Sequence, residues 1–141
     1  MPHIAVNFDE VPDFVPPIST GIYTFRIVSA NVEEVRNKPD REKVVLELEV
    51  DMDGNEFHGR KQFEHIGISH ERGRTTIKQV CMAVGLVVGA GGLDTDELIG
   101  RTLQARIKQG TYTDSSGEVR ENARVAGYLW RKEDIEAAAV V

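Results

Sequence analysis

Cysteine is nearly missing from this chain: Cys81 is the only one in 141 residues, which rules out an internal disulfide. It stands in "TTIKQVCMAVG", among apolar residues at helical spacing, and reads as a buried structural thiol, not a nucleophile. Long hydrophobic runs are missing too. None approaches the roughly 20 residues that a membrane helix needs, so no membrane partner is expected. The start, "MPHIAVNFDEVPDF", has neither the basic nor the apolar region of a secretory signal, and the expected location is the cytoplasm. Enzymatic motifs are equally scarce. "EHIGISHE" holds Glu64, His65, His70 and Glu71, but no third ligand follows at a metal-site spacing. "GLVVGAGG" lacks the Lys and Ser/Thr of a phosphate-binding loop and follows a helix instead of a strand. No nucleophile-elbow sequence occurs. The expectation is a protein that is not an enzyme, with no metal and no cofactor.

What the chain does have is charge, 28% of its residues, with a net of -6 that is unevenly spread. Residues 1–20 carry Asp9, Glu10 and Asp13 with no Lys or Arg, and residues 131–141 add a further -1, so the ends hold -4 of the -6. The body is then close to neutral, and the overall acidity does not exclude a polyanionic partner. The length suits one domain. Its expected parts are an acidic, Pro-rich arm over 1–20, a folded domain over 21–130 and a short tail over 131–141.

Within the domain, "GIYTFRIVSANV" alternates, with Tyr23, Phe25 and Ile27 on one side. A long loop is expected over "VEEVRNKPDREK", with Pro39 and Asp40 at its tip. "KVVLELEVDM" turns Val44, Leu46, Leu48 and Val50 inward, and "DMDGNE" leads into a third strand, "FHGRKQFEHI". The period then changes. Ile77, Val80, Cys81 and Val84 fall at i, i+3, i+4, i+7, which predicts a helix capped by Gly85. "LDTDELIG" reads as a single helical turn. "RTLQARIKQ" and "EVRENARVAGYL" are the last two strands, joined through "DSSG", with Leu103, Ala105 and Ile107, then Val119, Ala123, Val125 and Leu129, facing in. Three strands, a helix and two strands predict a mainly β fold: a five-stranded OB-fold-like barrel with one helix between strands three and four. An SH3-like or other small barrel is the structural competitor.

Basic residues gather on the surfaces that such a barrel uses. Arg36, Lys38, Arg41 and Lys43 lie in the first long loop, Arg60 and Lys61 on strand three, Arg106 and Lys108 on strand four, Arg120 and Arg124 on strand five. Alternate residues of a strand share a face, so the pairs on strands four and five project together. Single-strand binding needs cations at phosphate spacing and flat rings on which bases stack. Tyr112 and Tyr128 are the candidate rings, Tyr128 by sharing the parity of Arg120 and Arg124; Trp130 serves equally well as a cap on the barrel's end. Tyr23, Phe25, Phe57 and Phe63 are assigned to the core. The same alternation of charge is found on any solvated strand, and Glu47, Glu49, Glu64 and Glu121 interrupt it here.

Two segments, "GRKQFEHIGISHERGRTTIKQVCMAVGL" and "LDTDELIGRTLQARI", resemble a bacteriophage family of small OB-fold-like single-stranded DNA-binding proteins, long described as a domain of unknown function. "STGIYTFRIVSANVEE" fits as well, so the resemblance runs from Ser19 to Leu129. It implies single-stranded DNA binding in phage replication or recombination, in the bacterial host's cytoplasm, with other replication or recombination proteins as further partners and homo-oligomers as a further expectation. The residues expected to hold phosphates are Arg26, Arg60, Lys61, Arg106, Lys108, Arg120 and Arg124, with Tyr112 and Tyr128 stacking on bases. The acidic arm is expected to compete with DNA as a like-charged strand. The alternative is an assembly module: an OB-like barrel that oligomerises or docks on a replication enzyme through an apolar patch and its acidic arm.

Overall fold

The computed structural model describes residues 2–10 and 17–131, except the side chain of Pro39. Five strands form one antiparallel sheet: β1 (Gly21–Val35), β2 (Lys38–Val50), β3 (Lys61–Gly67), β4 (Thr102–Thr113) and β5 (Val119–Tyr128), in the order β3-β2-β1-β4-β5. One α-helix is found among the described residues, α1 (Glu71–Ala83), together with 3-10 turns at Phe8–Glu10 and Thr95–Leu98. The expected order of elements holds. The expected tail beyond Arg131 lies outside the described residues.

The inward residues follow the alternation. Tyr23, Phe25 and Ile27, Val44, Leu46, Leu48 and Val50, and Leu103, Ala105 and Ile107 are all buried. Val80 and Cys81 of α1 and Leu98 of the second 3-10 turn close over them. The core also takes in Ile18, so the chain is committed to the fold before Gly21. Gln109 ties this entry down, its side-chain amide donating to the carbonyls of Pro17 and Ile18.

Helix α1 begins earlier than its apolar period, because His70 accepts the Gly73 N–H through Nδ1 and caps it. It ends as expected. Leu86 N–H donates to Cys81 O and Gly85 N–H to Met82 O, the double bond of a Schellman ending, with Gly85 at φ 79°. Gly73 has a different reason to lack a side chain: a Cβ there would overlap the Gly67 carbonyl oxygen, so α1 can seat on β3 only at glycine.

Three local expectations are corrected. Residues 32–43 are not a long loop; β1 and β2 continue as a ladder to a two-residue turn at Arg36 and Asn37, where Asn37 takes the left-handed conformation at φ 65°. Pro39 and Asp40 therefore lie in β2, not at a tip. Strand β3 starts at Lys61, because Asn55–Arg60 is a run of turns held by bonds such as His58 N–H to Asn55 O and Arg60 N–H to Phe57 O.

The sheet is open. Among the described residues no ladder joins its edge strands, but β3 sends two inward side chains across to β5: Gln62 Nε2 donates to Ala123 O at 3.0 Å, and Glu64 Oε1 accepts the Val125 N–H at 3.2 Å. Two side chains thus hold the edges together where a ladder would otherwise run.

Candidate nucleic-acid interface

The face opposite the core carries the exposed charge, and the registers say which residues meet on it. Along β4 and β5, Lys108 lies opposite Arg124, and Tyr112 opposite Arg120. Arg106 shares their parity and lies between Ile22 and Gly127. Arg106, Lys108, Tyr112 and Arg124 are exposed, Tyr112 at 50%. No carboxylate belongs to this parity, since Glu121 points to the other side with Ala123 and Val125. Among the described residues no ion pair engages Arg106, Lys108 or Arg124.

The remaining predicted cations are already occupied. Arg26 faces Glu49 at 3.6 Å and Lys61 meets Glu47 at 3.3 Å. Arg120 is held by Asp114 at 2.9 Å and Glu118 at 2.8 Å, at the turn joining β4 to β5. The Ser116 hydroxyl, and then Arg120, pull the Asp114 carboxyl down to about 2, so this pairing persists at any ordinary pH. Arg60 lies outside β3, its guanidinium 5.9 Å from the centre of the Phe57 ring.

Tyr128 is the main correction. A bulge between Arg106 and Ile107 pairs Ile107 with Val125 and Arg106 with Gly127, so Ala126 is the extra residue and the parity of β5 reverses beyond it. Tyr128 then pairs with Ala105 and turns into the core, 8% exposed, its hydroxyl with no hydrogen-bond partner among the described residues. Burial, and next the Glu64 carboxylate, hold its phenol well above the usual range. It cannot stack on a base from there. Burial likewise pushes Glu64 up to about 7, against the opposing pull of the Val125 N–H. Both groups line a cleft of about 380 Å³ between the edge strands, with His70 and Arg72 of the α1 N-terminus on its rim.

Phe63, expected in the core, is 52% exposed. The signal was available in the sequence: Ile66 faces in, so Gln62 and Glu64 face in with it and Phe63 faces out with Lys61 and His65. Because Gln62 and Glu64 bond to Ala123 and Val125, alternation sets Phe63 outside the seam at the level of Arg124. Two exposed rings, Phe63 across the seam and Tyr112 farther along β4, thus lie on either side of Arg124 and Lys108, which have no ion-pair partner among the described residues. Next to Arg106 the same face is hollowed into a cavity of about 540 Å³ lined by Ile22, Thr24, Met52 and Gln104.

The β1–β2 end is chemically different. Lys43 stands opposite Glu33, and Arg36, Lys38 and Arg41 are interspersed with Glu34, Asp40 and Glu42. No protein-family model matches the chain, and no curated protein does.

Proposed function

We propose that the chain is an OB-like protein that binds single-stranded DNA without strong sequence preference, as a phage replication or recombination factor would. Phosphates lie along Arg106, Lys108 and Arg124, and bases stack on Tyr112 and Phe63. The observation that carries the reading is the β4–β5 outer face, where three cations without ion-pair partners among the described residues and an exposed ring share one parity with no carboxylate among them. Cations left unpaired beside carboxylates elsewhere would be ordinary surface; a one-sign face on an acidic chain attracts a polyanion. The OB-like assignment is supported by the element order and by the two side-chain bonds that draw β3 and β5 together. Rings at half exposure suit bases of any identity, since every base has a π face.

The test is fluorescence anisotropy with a labelled oligo-dT at rising salt. Each phosphate contact contributes about 0.7 to the slope of log affinity against log salt, so three contacts give a slope near -2. Saturable, salt-sensitive binding that is lost in Lys108→Glu/Arg124→Glu is the expected result. Binding unchanged in that variant, or no saturable binding at low salt, would overturn the reading.

A further inference from the structure

A second surface is unpartnered, away from the strands just described. Along α1 the residues Arg74, Ile77, Lys78 and Cys81 fall on one stripe, and the loop after the helix brings Val88 and Leu93 against it, leaving a groove of about 430 Å³. Its walls are apolar and its polar rim is basic. The apolar surface extends past the groove through residues next in sequence to its lining: Met82 is 42% exposed and Val87 95%. Exposed aliphatic side chains gathered beside a groove mark an interaction site more often than chance surface.

The chain carries a segment with the complementary chemistry. In the arm, Ile4, Val6 and Phe8 are 67%, 52% and 64% exposed, and Phe8 opens a 3-10 turn whose other two residues are the exposed acids Asp9 and Glu10. An aromatic ring followed at once by two carboxylates is what an apolar groove rimmed by Arg74 and Lys78 would take. The arm is anchored through Pro17 and Ile18 on Gln109, and the nine peptide links from Phe8 to Pro17 can span up to about 30 Å when extended. Among the described residues Phe8 keeps its exposure and the groove lies open, so the described part of the arm does not fill it.

We infer that the groove between α1 and the Val88–Leu93 loop receives the arm of a second copy of this chain, with Phe8 seated among Ile77, Cys81, Val88 and Leu93 and with Asp9 and Glu10 facing Arg74 and Lys78. Arm and groove are different patches of the same molecule, so two copies can exchange arms about a two-fold axis, or the contact can pass from copy to copy as a ring or an open chain. This assembly does not depend on nucleic acid and is testable without it.

Sedimentation velocity on the nuclease-treated full chain, from micromolar to millimolar concentration, is the measurement. Concentration-dependent association is expected, weakened about tenfold or more by Phe8→Ala, since a seated aromatic anchor dominates a small interface. Arg74→Glu/Lys78→Glu weakens it too, and combining that pair with Asp9→Lys and Glu10→Lys restores it, because both sides of the ionic contact are then reversed and not lost. Phe8, Asp9, Glu10, Arg74 and Lys78 are all exposed, so these variants leave the core alone. A chain that stays monomeric at every concentration overturns the inference, whether its arm is free or folded onto its own groove. Association indifferent to Phe8→Ala, or not rescued by charge reversal, overturns it as well.

Discussion

The two faces of the β4–β5 pair are made by the same residues read alternately, yet they differ in what they can do. Outward stand Arg106, Lys108, Tyr112 and Arg124, wet and without ion-pair partners among the described residues. Inward stand Ile107, Val125 and Tyr128, and against them the Glu64 carboxylate arrives from the far edge of the sheet. A cation in water keeps its hydration and remains available to a ligand. A carboxylate behind a seam loses hydration and changes its protonation instead. Which of these a residue becomes was decided by parity, and at Tyr128 by one bulged residue.

Tyr128 and Tyr112 give the sharpest break between the faces. Tyr128→Ala empties a buried site and should cost on the order of 3–5 kcal/mol of stability, read by denaturant unfolding, with oligo-dT affinity per folded molecule unchanged. Tyr112→Ala should do the reverse, leaving stability within about 0.5 kcal/mol and weakening binding by about 1–3 kcal/mol. If both variants lose binding equally at matched folded fraction, the faces are not functionally distinct.

That difference marks how far the sequence could be read. Alternation located the core on β1, β2 and β4 because each of those stretches holds its register through the apolar residues, and the i, i+3, i+4, i+7 spacing found α1. The bulge at Ala126 has no such signature: "RVAGYL" reads as plain alternation until the pairing with β4 is known. The occupied cations were equally hidden, because Arg120 meets Asp114 and Glu118 only once the turn is folded. The β1–β2 hairpin carries no such signal in its sequence, because Arg36 and Asn37 make a two-residue turn without the glycine that usually announces one. The exposure of Phe63 is legible in the alternation of β3, which outweighs the hydrophobicity of its ring.

Glu64 sharpens the comparison from the inner side. Its folded value of about 7 lies above the ordinary 4.5, so between those values the folded chain holds more protons than the unfolded one. Stability should therefore fall as pH rises through that window, by up to roughly 3 kcal/mol, and level off above it. Glu64→Gln keeps an acceptor for the Val125 N–H and carries no charge. Chemical denaturation from pH 4.5 to 8 should show the slope in the natural chain and its disappearance in Glu64→Gln, which becomes the more stable of the two above pH 7. An unchanged slope would mean that the seam is already hydrated.

On the outer side, free and occupied cations should separate in the same assay. Removing Arg124 by Arg124→Gln should flatten the salt slope by about 0.7, whereas Arg120→Gln should leave it nearly unchanged, because Asp114 and Glu118 already neutralise that guanidinium. Equal slopes for the two variants would show that a polyanion draws Arg120 out of its turn.

The smallest expected effect belongs to Phe63, and it tests whether the face extends across the seam. Its ring is 52% exposed, so Phe63→Ala removes little buried surface and should change stability by no more than about 0.5 kcal/mol. A base stacked on it would be worth about 1 kcal/mol, close to a fivefold loss of affinity, with the salt slope untouched because no phosphate contact is removed. Phe63→Tyr, which keeps a flat ring at that position, should recover the loss. An alanine variant that binds as tightly as the natural chain would confine the interface to β4 and β5, where Tyr112 is the only exposed ring on that parity. Glu47 and Glu49, which lie opposite Phe63 and Lys61, would then mark the edge at which a polyanion is turned away.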